Sequence, residues 1–239
     1  MSKSQRTTKK SKKPAAPKAK ITFRHNILPV WFGLMAFGGI LGLLNAQWII
    51  AQADYRFAPK VTVAEINRSI AAKAPNDNFE VMIPAIKVDA PIVIEPSYTA
   101  WKIQLDLRKG VVHFGNTAMP GQVGNVVIFG HSSGQLWAPG NYKFVFTLLN
   151  KLHDGDFIFI DYKGTRYIYR MTSSEVIQPT NFNVVQPTSA PELTLITCTP
   201  VGTSTNRLVI HAVQVSPKPS TATAISGGAS TIDPTKLPQ

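Results

Sequence analysis

An uncharged segment near the N-terminus places the tightest limit on how this chain can fold. Residues 27–51 contain no Asp, Glu, Lys or Arg, and most of their side chains are apolar. Since a helix rises about 1.5 Å per residue, roughly 20 apolar residues cross a bilayer core of about 30 Å. A helix buried in a protein core is the alternative, but no polar face interrupts the segment. We therefore expect one transmembrane helix over residues 27–51.

Basic residues cluster before this segment and set its orientation. The 239-residue chain has 25 Lys and Arg against 13 Asp and Glu. Nine of the basic residues and none of the acidic ones lie in residues 1–26, so the remainder is close to neutral. The positive-inside rule places this basic tail in the cytoplasm and the rest outside the cell membrane. Lysines beside a membrane segment set its orientation and attract anionic lipids. We therefore expect no nucleic-acid partner.

A cleavable signal peptide is the other interpretation of the uncharged segment. Ala51, Gln52 and Ala53 fit the small-residue pattern of a cleavage site. The apolar stretch of a signal peptide usually spans roughly 7–15 residues, and here residues 27–44 are apolar before Asn45. This length favours a retained single-pass anchor. Either interpretation exports the part of the chain that follows.

Composition divides the exported part into three regions. Residues 52–78 form the expected stalk, with helical character over residues 63–74. Residues 79–216 contain short runs rich in Val, Ile, Phe and Tyr, separated by Gly, Pro and Asn, which is typical of β-strands. Residues 217–239 hold four prolines and seven Ser or Thr. Such a polar, low-complexity composition predicts a disordered tail.

The β-rich region predicts eight strands, a tight turn and little helix. The predicted strands cover residues 79–83, 90–95, 111–114, 125–130, 156–162, 165–172, 193–198 and 208–215. A tight hairpin turn is expected at residues 162–165, and a short helix over residues 144–152. Many short strands with few helices indicate a mainly β domain that forms a closed or nearly closed barrel.

Cys198 is the only cysteine, so the exported chain cannot form an internal disulfide. A lone cysteine more often packs as a small hydrophobe. This one ends a predicted strand, a Gly-, Ser- and Thr-rich loop follows, and a second strand begins at Arg207. If these strands pair antiparallel, the guanidinium of Arg207 lies near the thiol. There it favours the nucleophilic thiolate and can hold an oxyanion or orient a carbonyl. The pattern therefore favours a nucleophile.

A cysteine nucleophile usually needs a base that later serves as an acid. His131 has the same setting as Cys198, because it follows a predicted strand at residues 125–129. Two strand ends of one barrel can meet at one rim. His113 and His211 lie inside predicted strands, which favours structural roles. His131 is therefore the expected acid and base.

These motifs resemble the sortase family. The run TLITC ends at Cys198 and has Arg207 nine residues further on, and the run GNVVIFGHSSG before it carries His131. The runs IPAIKVDAPI at residues 83–92 and GVVHFGNTAMPGQVGN at residues 110–125 are also similar to the family. The resemblance covers about residues 79–215.

The resemblance implies an eight-stranded β-barrel and a membrane-anchored cysteine transpeptidase. The family cuts an LPxTG-like sorting motif in exported proteins through a thioester, and an amine from a cell-wall precursor or a pilin resolves it. By this resemblance Cys198 is the nucleophile, His131 the acid and base, and Arg207 the group that stabilises the oxyanion or positions substrate. Because no second hydrophobic span follows, we expect a class D/E-like enzyme rather than a pilus-type one.

We expect no cofactor and no required metal. Some sortases bind calcium through acidic residues in loops beside the groove, but Asp154, Asp156 and Glu175 form no recognisable ligand run. Thr197 and Ser132 adjoin the two catalytic positions, and we expect both to line the substrate groove.

Other functions fit these residues less well. Papain-like proteases carry cysteine before histidine and at a helix start, whereas His131 precedes Cys198 here and the cysteine ends a strand. The SHGC run of L,D-transpeptidases is absent from the sequence. The main alternative is a non-catalytic, membrane-anchored surface β-domain that acts as an adhesin or scaffold. Such a domain would tolerate Cys198→Ala.

Overall fold

A computed structural model describes residues 27–57, 63–75, 77–96, 99–134 and 138–218. The chain divides into two compact units, and the first of them ends at Leu44. The prediction of a basic tail over residues 1–26 lies outside the described residues, as does that of a disordered tail over residues 217–239 from residue 219 onward.

The uncharged segment forms two helices rather than the single helix that we expected over residues 27–51. The first is α1 (Ile27–Leu44) and the second is α2 (Ala46–Phe57). Asn45 separates them, and its carbonyl oxygen accepts a 2.9 Å hydrogen bond from Ile49 N, as an N-cap residue does. Most described side chains of α1 are exposed apolar groups. Among the described residues, no helix has both the length and the apolarity that a membrane span needs.

Within the described residues, eight strands close into a barrel, as the sequence predicts. Around the barrel their order is β1-β2-β3-β4-β7-β8-β6-β5. The strands are β1 (Glu80–Ile83), β2 (Val88–Glu95), β3 (Val111–Phe114), β4 (Gly124–Phe129), β5 (Phe157–Tyr162), β6 (Thr165–Ile177), β7 (Pro191–Thr199) and β8 (Asn206–Ser216). β6 extends five residues beyond its predicted end at residue 172, because its later part pairs with β8.

Two parallel pairings shape the barrel around the candidate site. β4 runs parallel to β7, and β2 runs parallel to β3, while the other neighbouring pairs are antiparallel. β5 and β6 join through the expected tight turn, in which Lys163 (φ 49°) and Gly164 (φ 70°) both have positive φ. This is the backbone of a two-residue hairpin turn that matches the twist of the strands.

The short helices differ from the prediction. Residues 144–152 form only a 3-10 turn at Leu149–Lys151, because Phe146 and Leu149 are drawn into the barrel core. A helix that the sequence did not predict, α4 (Ala100–Asp106), follows β2. Further 3-10 turns lie at Pro84–Ile86 and at Asn183–Val185.

Apolar side chains form two clusters on opposite faces of the sheet. Alternate residues of β4 show the division, since Val126 and Ile128 join the first cluster and Val127 joins the second. The first cluster draws residues from strands all around the barrel and fills its interior. The second lies on the outer face of β3, β4, β7 and β8, where α4 and the β6–β7 connection cover it.

The predicted stalk helix is present as α3 (Val63–Ala72) and is attached to the barrel. Arg166 Nη1 donates to the carbonyl oxygen of Ile70 and, at 2.8 Å, to that of Lys73. Its Nε and Nη2 each make a 2.6 Å bond to a carboxylate oxygen of Asp161, which is fully buried. The last carbonyls of a helix have no partner within it, so Arg166 satisfies the end of α3.

Candidate active site

The register of three neighbouring strands brings His131, Cys198 and Arg207 to one rim of the barrel. β4 and β7 are parallel with Phe129 opposite Ile196, and the chain reaches His131 and Cys198 two residues beyond these positions. β7 and β8 are antiparallel, and Cys198 is the Cα partner of Arg207. The antiparallel pairing that the sequence analysis assumed is therefore observed. The three side chains line one cavity.

Thr197 and Gly130 connect the two parallel strands next to the cysteine. Gly130 N donates to Ile196 O at 3.1 Å, and the Thr197 hydroxyl donates to Gly130 O at 2.7 Å. Thr197 is 4% exposed. Thr197 lines the cavity, and its expected place in a substrate groove stays a prediction. The Thr197 hydroxyl therefore holds the end of β7 against the end of β4 next to the candidate site.

The backbone at His131 is held from a second direction by residues 146–147. A Cβ on Gly130 would lie 2.3 Å from the ring of Phe146, so only glycine allows this close approach. Phe146 N donates to His131 O at 2.9 Å, and the Thr147 hydroxyl donates to Ser132 O at 2.5 Å. These contacts fix the direction in which the chain leaves β4. The position of His131 is thereby set by packed and hydrogen-bonded neighbours.

The cavity has a volume of about 380 Å³, and its lining contains two chemically different sets of residues. Ile103, Leu107, Phe129 and Ile196 are apolar and belong to or pack against one buried cluster, and we call these four residues the apolar wall. His131, Ser133, Cys198, Thr203 and Arg207 are the second set, which carries polar, charged and thiol groups. An elongated ligand with both an aliphatic group and a reactive polar group would match such a site.

His131 is half-buried, and burial sets its protonation. Removing an imidazole from water disfavours its charged form, and this desolvation lowers the pKa of His131 below its usual value of 6.5. The neutral ring therefore persists into mildly acidic solution. A neutral imidazole at this place can accept a proton from a neighbouring thiol.

Arg207 is held at the start of β8 by its own chain. Its Nη1 donates to Ser204 O at 3.0 Å and to Asn206 O at 3.2 Å. Ser204 lies in the β7–β8 loop, and Asn206 is the first residue of β8. These bonds restrain the guanidinium while its side chain lines the cavity, so a planar cation with fixed donors stands beside the cysteine position.

The two loops that leave the rim are joined to each other. Gly202 N, in the β7–β8 loop, donates to the Ser133 hydroxyl at 3.0 Å. Gly202 has φ +88°, a conformation that glycine adopts without strain. Thr203 closes the same loop, because its N and its hydroxyl donate to Pro200 O at 3.0 Å and 2.8 Å. The cavity wall above the cysteine is thus an ordered turn.

Ser132 also lines the cavity but is only 2% exposed, and its expected place in a substrate groove stays a prediction. Its Oγ is buried without a hydrogen-bond partner among the described residues. His113, expected to be structural, is also buried, with Nε2 3.0 Å from Ala118 O and 3.1 Å from the Thr117 hydroxyl. It takes no place in the cavity lining.

Sequence reasoning missed the contribution of α4 to the site. Ile103, Gln104 and Leu107 line the cavity, although they lie more than 20 residues before His131 in the chain. Ile103 and Leu107 are four residues apart, a spacing that places two apolar side chains on one face of a helix. That spacing is the signal that could have revealed α4.

No group of three or more His, Cys, Asp and Glu side chains within the described ranges is placed to hold a metal ion. Asp154 and Asp156 serve a turn instead, since the carboxylate of Asp156 accepts a 2.9 Å bond from His153 N. The expectation that no metal is required stays a prediction.

Comparison with known proteins identifies the family. The family model for the sortase domain matches residues 81–215, more than half of the chain. The chain belongs to the sortase family. Members of this family are cysteine transpeptidases. The resemblance noted in the sequence is therefore confirmed at the level of the family.

A curated relative of this sortase is sortase SrtE1 of Streptomyces coelicolor. The two are 29% identical over 168 residues, which cover 64% of this chain and 44% of the relative. The match thus spans less than half the length of that relative.

Solved sortase structures share the barrel. A lid mutant of sortase A from Corynebacterium diphtheriae has a TM-score of 0.50 at 24% identity, covering 68% of this chain and 84% of that one. Sortase C1 of GBS pilus island 1 has a TM-score of 0.50 at 23% identity, covering 75% of this chain and 96% of that one. Both likenesses concern the fold, and the prediction of a sortase-like eight-stranded barrel is confirmed.

Proposed function

We propose that this sortase cleaves an LPxTG-like sorting motif in exported proteins and transfers the acyl part to an amine acceptor. The observation that carries the proposal is the alignment of His131, Cys198 and Arg207 on adjacent strand ends around one cavity. The mixed lining of the cavity supports it, because a short peptide can place an aliphatic side chain on the apolar wall and a carbonyl beside the cysteine.

In the first half of the proposed reaction Cys198 becomes acylated. The thiol proton passes to the neutral ring of His131, and the sulfur attacks the carbonyl carbon of the threonine in the motif. The peptide C–N bond then breaks, and the imidazolium returns its proton to the leaving amine. The products are a thioester on Cys198 and a free amine. The lowered pKa of His131, caused by burial, supports this role because the ring begins the cycle neutral.

In the second half an acceptor amine releases the acyl group. The amine nitrogen attacks the thioester carbonyl, the C–S bond breaks, and the proton that the amine loses passes through His131 to the sulfur. A new amide and the free thiol result. A cell-wall precursor or a pilin subunit are the acceptors that we propose.

Arg207 would stabilise both tetrahedral intermediates. Its Nη1 is occupied by two backbone carbonyls, so Nε and Nη2 are the donors that we assign to the oxyanion or to a substrate carbonyl. A guanidinium held before substrate arrives needs little reorganisation when negative charge develops. The bonds of Arg207 to the β7–β8 loop support this assignment.

We also propose a place for the protein in the cell, with the N-terminus in the cytoplasm and the barrel outside the membrane. The uncharged, mostly apolar sequence of residues 27–51 and the nine basic residues in residues 1–26 support an anchor in this orientation. Cys198 is the only cysteine, so a membrane-impermeant maleimide tests the proposal. Labelling of intact cells would support an external barrel, and labelling only after lysis would oppose it.

The decisive experiment incubates the full-length chain, solubilised in detergent, with a panel of LPxTG-like peptides and an added primary amine. Mass spectrometry should find an acyl adduct on Cys198 and a peptide–amine product. Cys198→Ala should abolish both, and His131→Ala should abolish the product. His153→Ala, which removes an exposed histidine far from the cavity lining, should leave turnover unchanged. A folded chain that forms no adduct with any peptide would favour the scaffold alternative.

A further inference from the structure

Asn125 is a buried polar residue on the strand that carries His131. It is 4% exposed, and every part of its amide is engaged. Its Nδ2 donates to Val184 O at 2.9 Å and to Gln186 O at 3.3 Å, both in the β6–β7 connection. Its Oδ1 accepts a 2.8 Å bond from the Thr194 hydroxyl on β7. One side chain therefore ties β4 to a neighbouring strand and to a segment about 60 residues away.

The segment that Asn125 holds is a compact turn at residues 182–186. It contains the 3-10 turn Asn183–Val185, and Gln186 closes it by donating from N to Asn183 O at 3.3 Å and from Nε2 to Phe182 O at 3.2 Å. The turn lies outside the barrel ladders, so its backbone depends on such contacts for its place. The two bonds from Asn125 fix it against β4.

The 182–186 turn packs into the buried cluster that also contains Ile103 and Leu107 of the apolar wall. Val185 is 2% exposed and belongs to the same buried cluster as Ile103 and Leu107, and Phe182 and Val184 pack at the edge of that cluster. Ile103 and Leu107 also line the catalytic cavity. The turn is thus the outer support of the wall, and packed cores transmit small shifts because they contain few voids.

We propose that Asn125 is a positioning residue of this sortase, which sets the apolar wall of the cavity by holding the 182–186 turn. The inference rests on the proposed peptide substrate, because it concerns the wall against which an aliphatic side chain of that substrate would lie. Asn125 touches none of the reacting groups. Its substitution should therefore weaken peptide binding while the thiol keeps its reactivity.

Asn125→Asp in the full-length chain is the sharpest test. A carboxylate keeps the acceptor for Thr194 but cannot donate to Val184 O and Gln186 O, so it releases the turn. We expect KM for the acyl-donor peptide to rise by about three- to tenfold, below the roughly hundredfold that a 1 Å displacement can cause. The kcat value and the rate of Cys198 alkylation by iodoacetamide should stay within about twofold.

Thr194→Val is the matched control, because it removes the bond on the barrel side of Asn125 and leaves both bonds to the turn. Its KM should equal that of the wild type. A KM in Asn125→Asp that matches the wild type overturns the proposal. So does an equal fall of kcat and alkylation rate in a folded variant, since that pattern indicates general damage to the catalytic rim.

A second pair of variants tests the proposal if Asn125→Asp does not fold. Val185→Ala removes packing of the turn within the cluster that holds Ile103 and Leu107, whereas Val81→Ala removes a similarly buried valine inside the barrel. KM should rise only for Val185→Ala, and an equal KM in both variants overturns the proposal. Failure of the proposed function itself would be seen separately, as a wild-type chain that turns over no peptide.

Discussion

Cys198 and Arg207 are Cα partners in the β7–β8 ladder, although eight residues separate them in the chain. The antiparallel register alone brings the thiol and the guanidinium to the same level of the barrel rim. A parallel register then adds His131 from the other side of β7. The candidate triad is therefore a property of strand pairing, and the loops serve to restrain it.

Replacing Arg207 tests whether the guanidinium acts in the transition state. Arg207→Ala should lower kcat for an acyl-donor peptide by about 100-fold or more, the usual effect of losing one donor to an oxyanion. Arg207→Lys should recover only part of this loss, because an ammonium lacks the planar fork of donors. Steady-state kinetics of the peptide reaction measures both effects.

Arg170, an exposed arginine of β6, provides the control for lost positive charge. Arg170→Ala should keep the wild-type kcat. If Arg207→Ala instead raised KM and left kcat unchanged, Arg207 would position the substrate in the ground state and the oxyanion role would be wrong.

Titration of His131 tests the electrostatics of the cavity. Burial lowers the pKa of His131, so as pH falls the ring should stay neutral past 6.5 and gain its proton only at lower pH. The step that needs a neutral His131 should therefore lose rate only below pH 6.5, which is seen as the acid limb of the pH–rate profile. NMR of the histidine rings in Cys198→Ala, with His131→Asn to assign the signal, measures the titration directly. A midpoint at or above 6.5 would contradict the effect of burial.

The sequence predicted the barrel and the three rim residues for a physical reason. Short runs of β-branched and aromatic residues predict strands, and Cys198 and His131 each lie at the end of such a run. Consecutive strands joined by one short loop usually pair antiparallel. The closeness of Arg207 to Cys198 could therefore be predicted from their order in the chain.

Other parts of the site were hidden from the sequence because they depend on distant packing. Ile103 and Leu107 reach the cavity only when α4 lies on the outer face of β3, β4, β7 and β8. The role of Asn125 depends on its hydrogen bonds to the carbonyl oxygens of Val184 and Gln186, which lie about 60 residues away in the chain. The helix expected over residues 144–152 did not form, because Phe146 and Leu149 gain more from burial in the barrel core than from helical bonds. Local propensity yields to such tertiary contacts.

The buried pair of Arg166 and Asp161 makes α3 part of the barrel fold. Arg166→Ala leaves the carboxylate of Asp161 buried without its cation, which should cost about 3–5 kcal/mol of unfolding free energy. Chemical denaturation of the full-length chain measures this loss. The double variant Arg166→Met with Asp161→Leu should be closer to the wild type, because it removes both charges together.

The attachment of α3 also predicts where the chain can be shortened. A fragment that begins at residue 79 lacks the carbonyls of Ile70 and Lys73 that Arg166 binds, so it should melt at a lower temperature than one that begins at residue 58. If the two fragments have equal melting temperatures, α3 is a passive stalk and its contacts with Arg166 add no stability.

Gly130 sets the distance between β4 and Phe146, and its substitution should separate packing from chemistry. A Cβ at residue 130 would lie 2.3 Å from the Phe146 ring, so Gly130→Ala must displace either the ring or the strand end. Overpacking of this kind usually costs about 1–3 kcal/mol of stability, and the adjoining His131 should shift with the strand, which lowers kcat. Adding Phe146→Leu makes room for the new methyl group and should restore part of both losses. Thermal melts and peptide kinetics on the wild type and the two variants check this. A Gly130→Ala enzyme with wild-type kcat would show that the position of His131 does not depend on this contact.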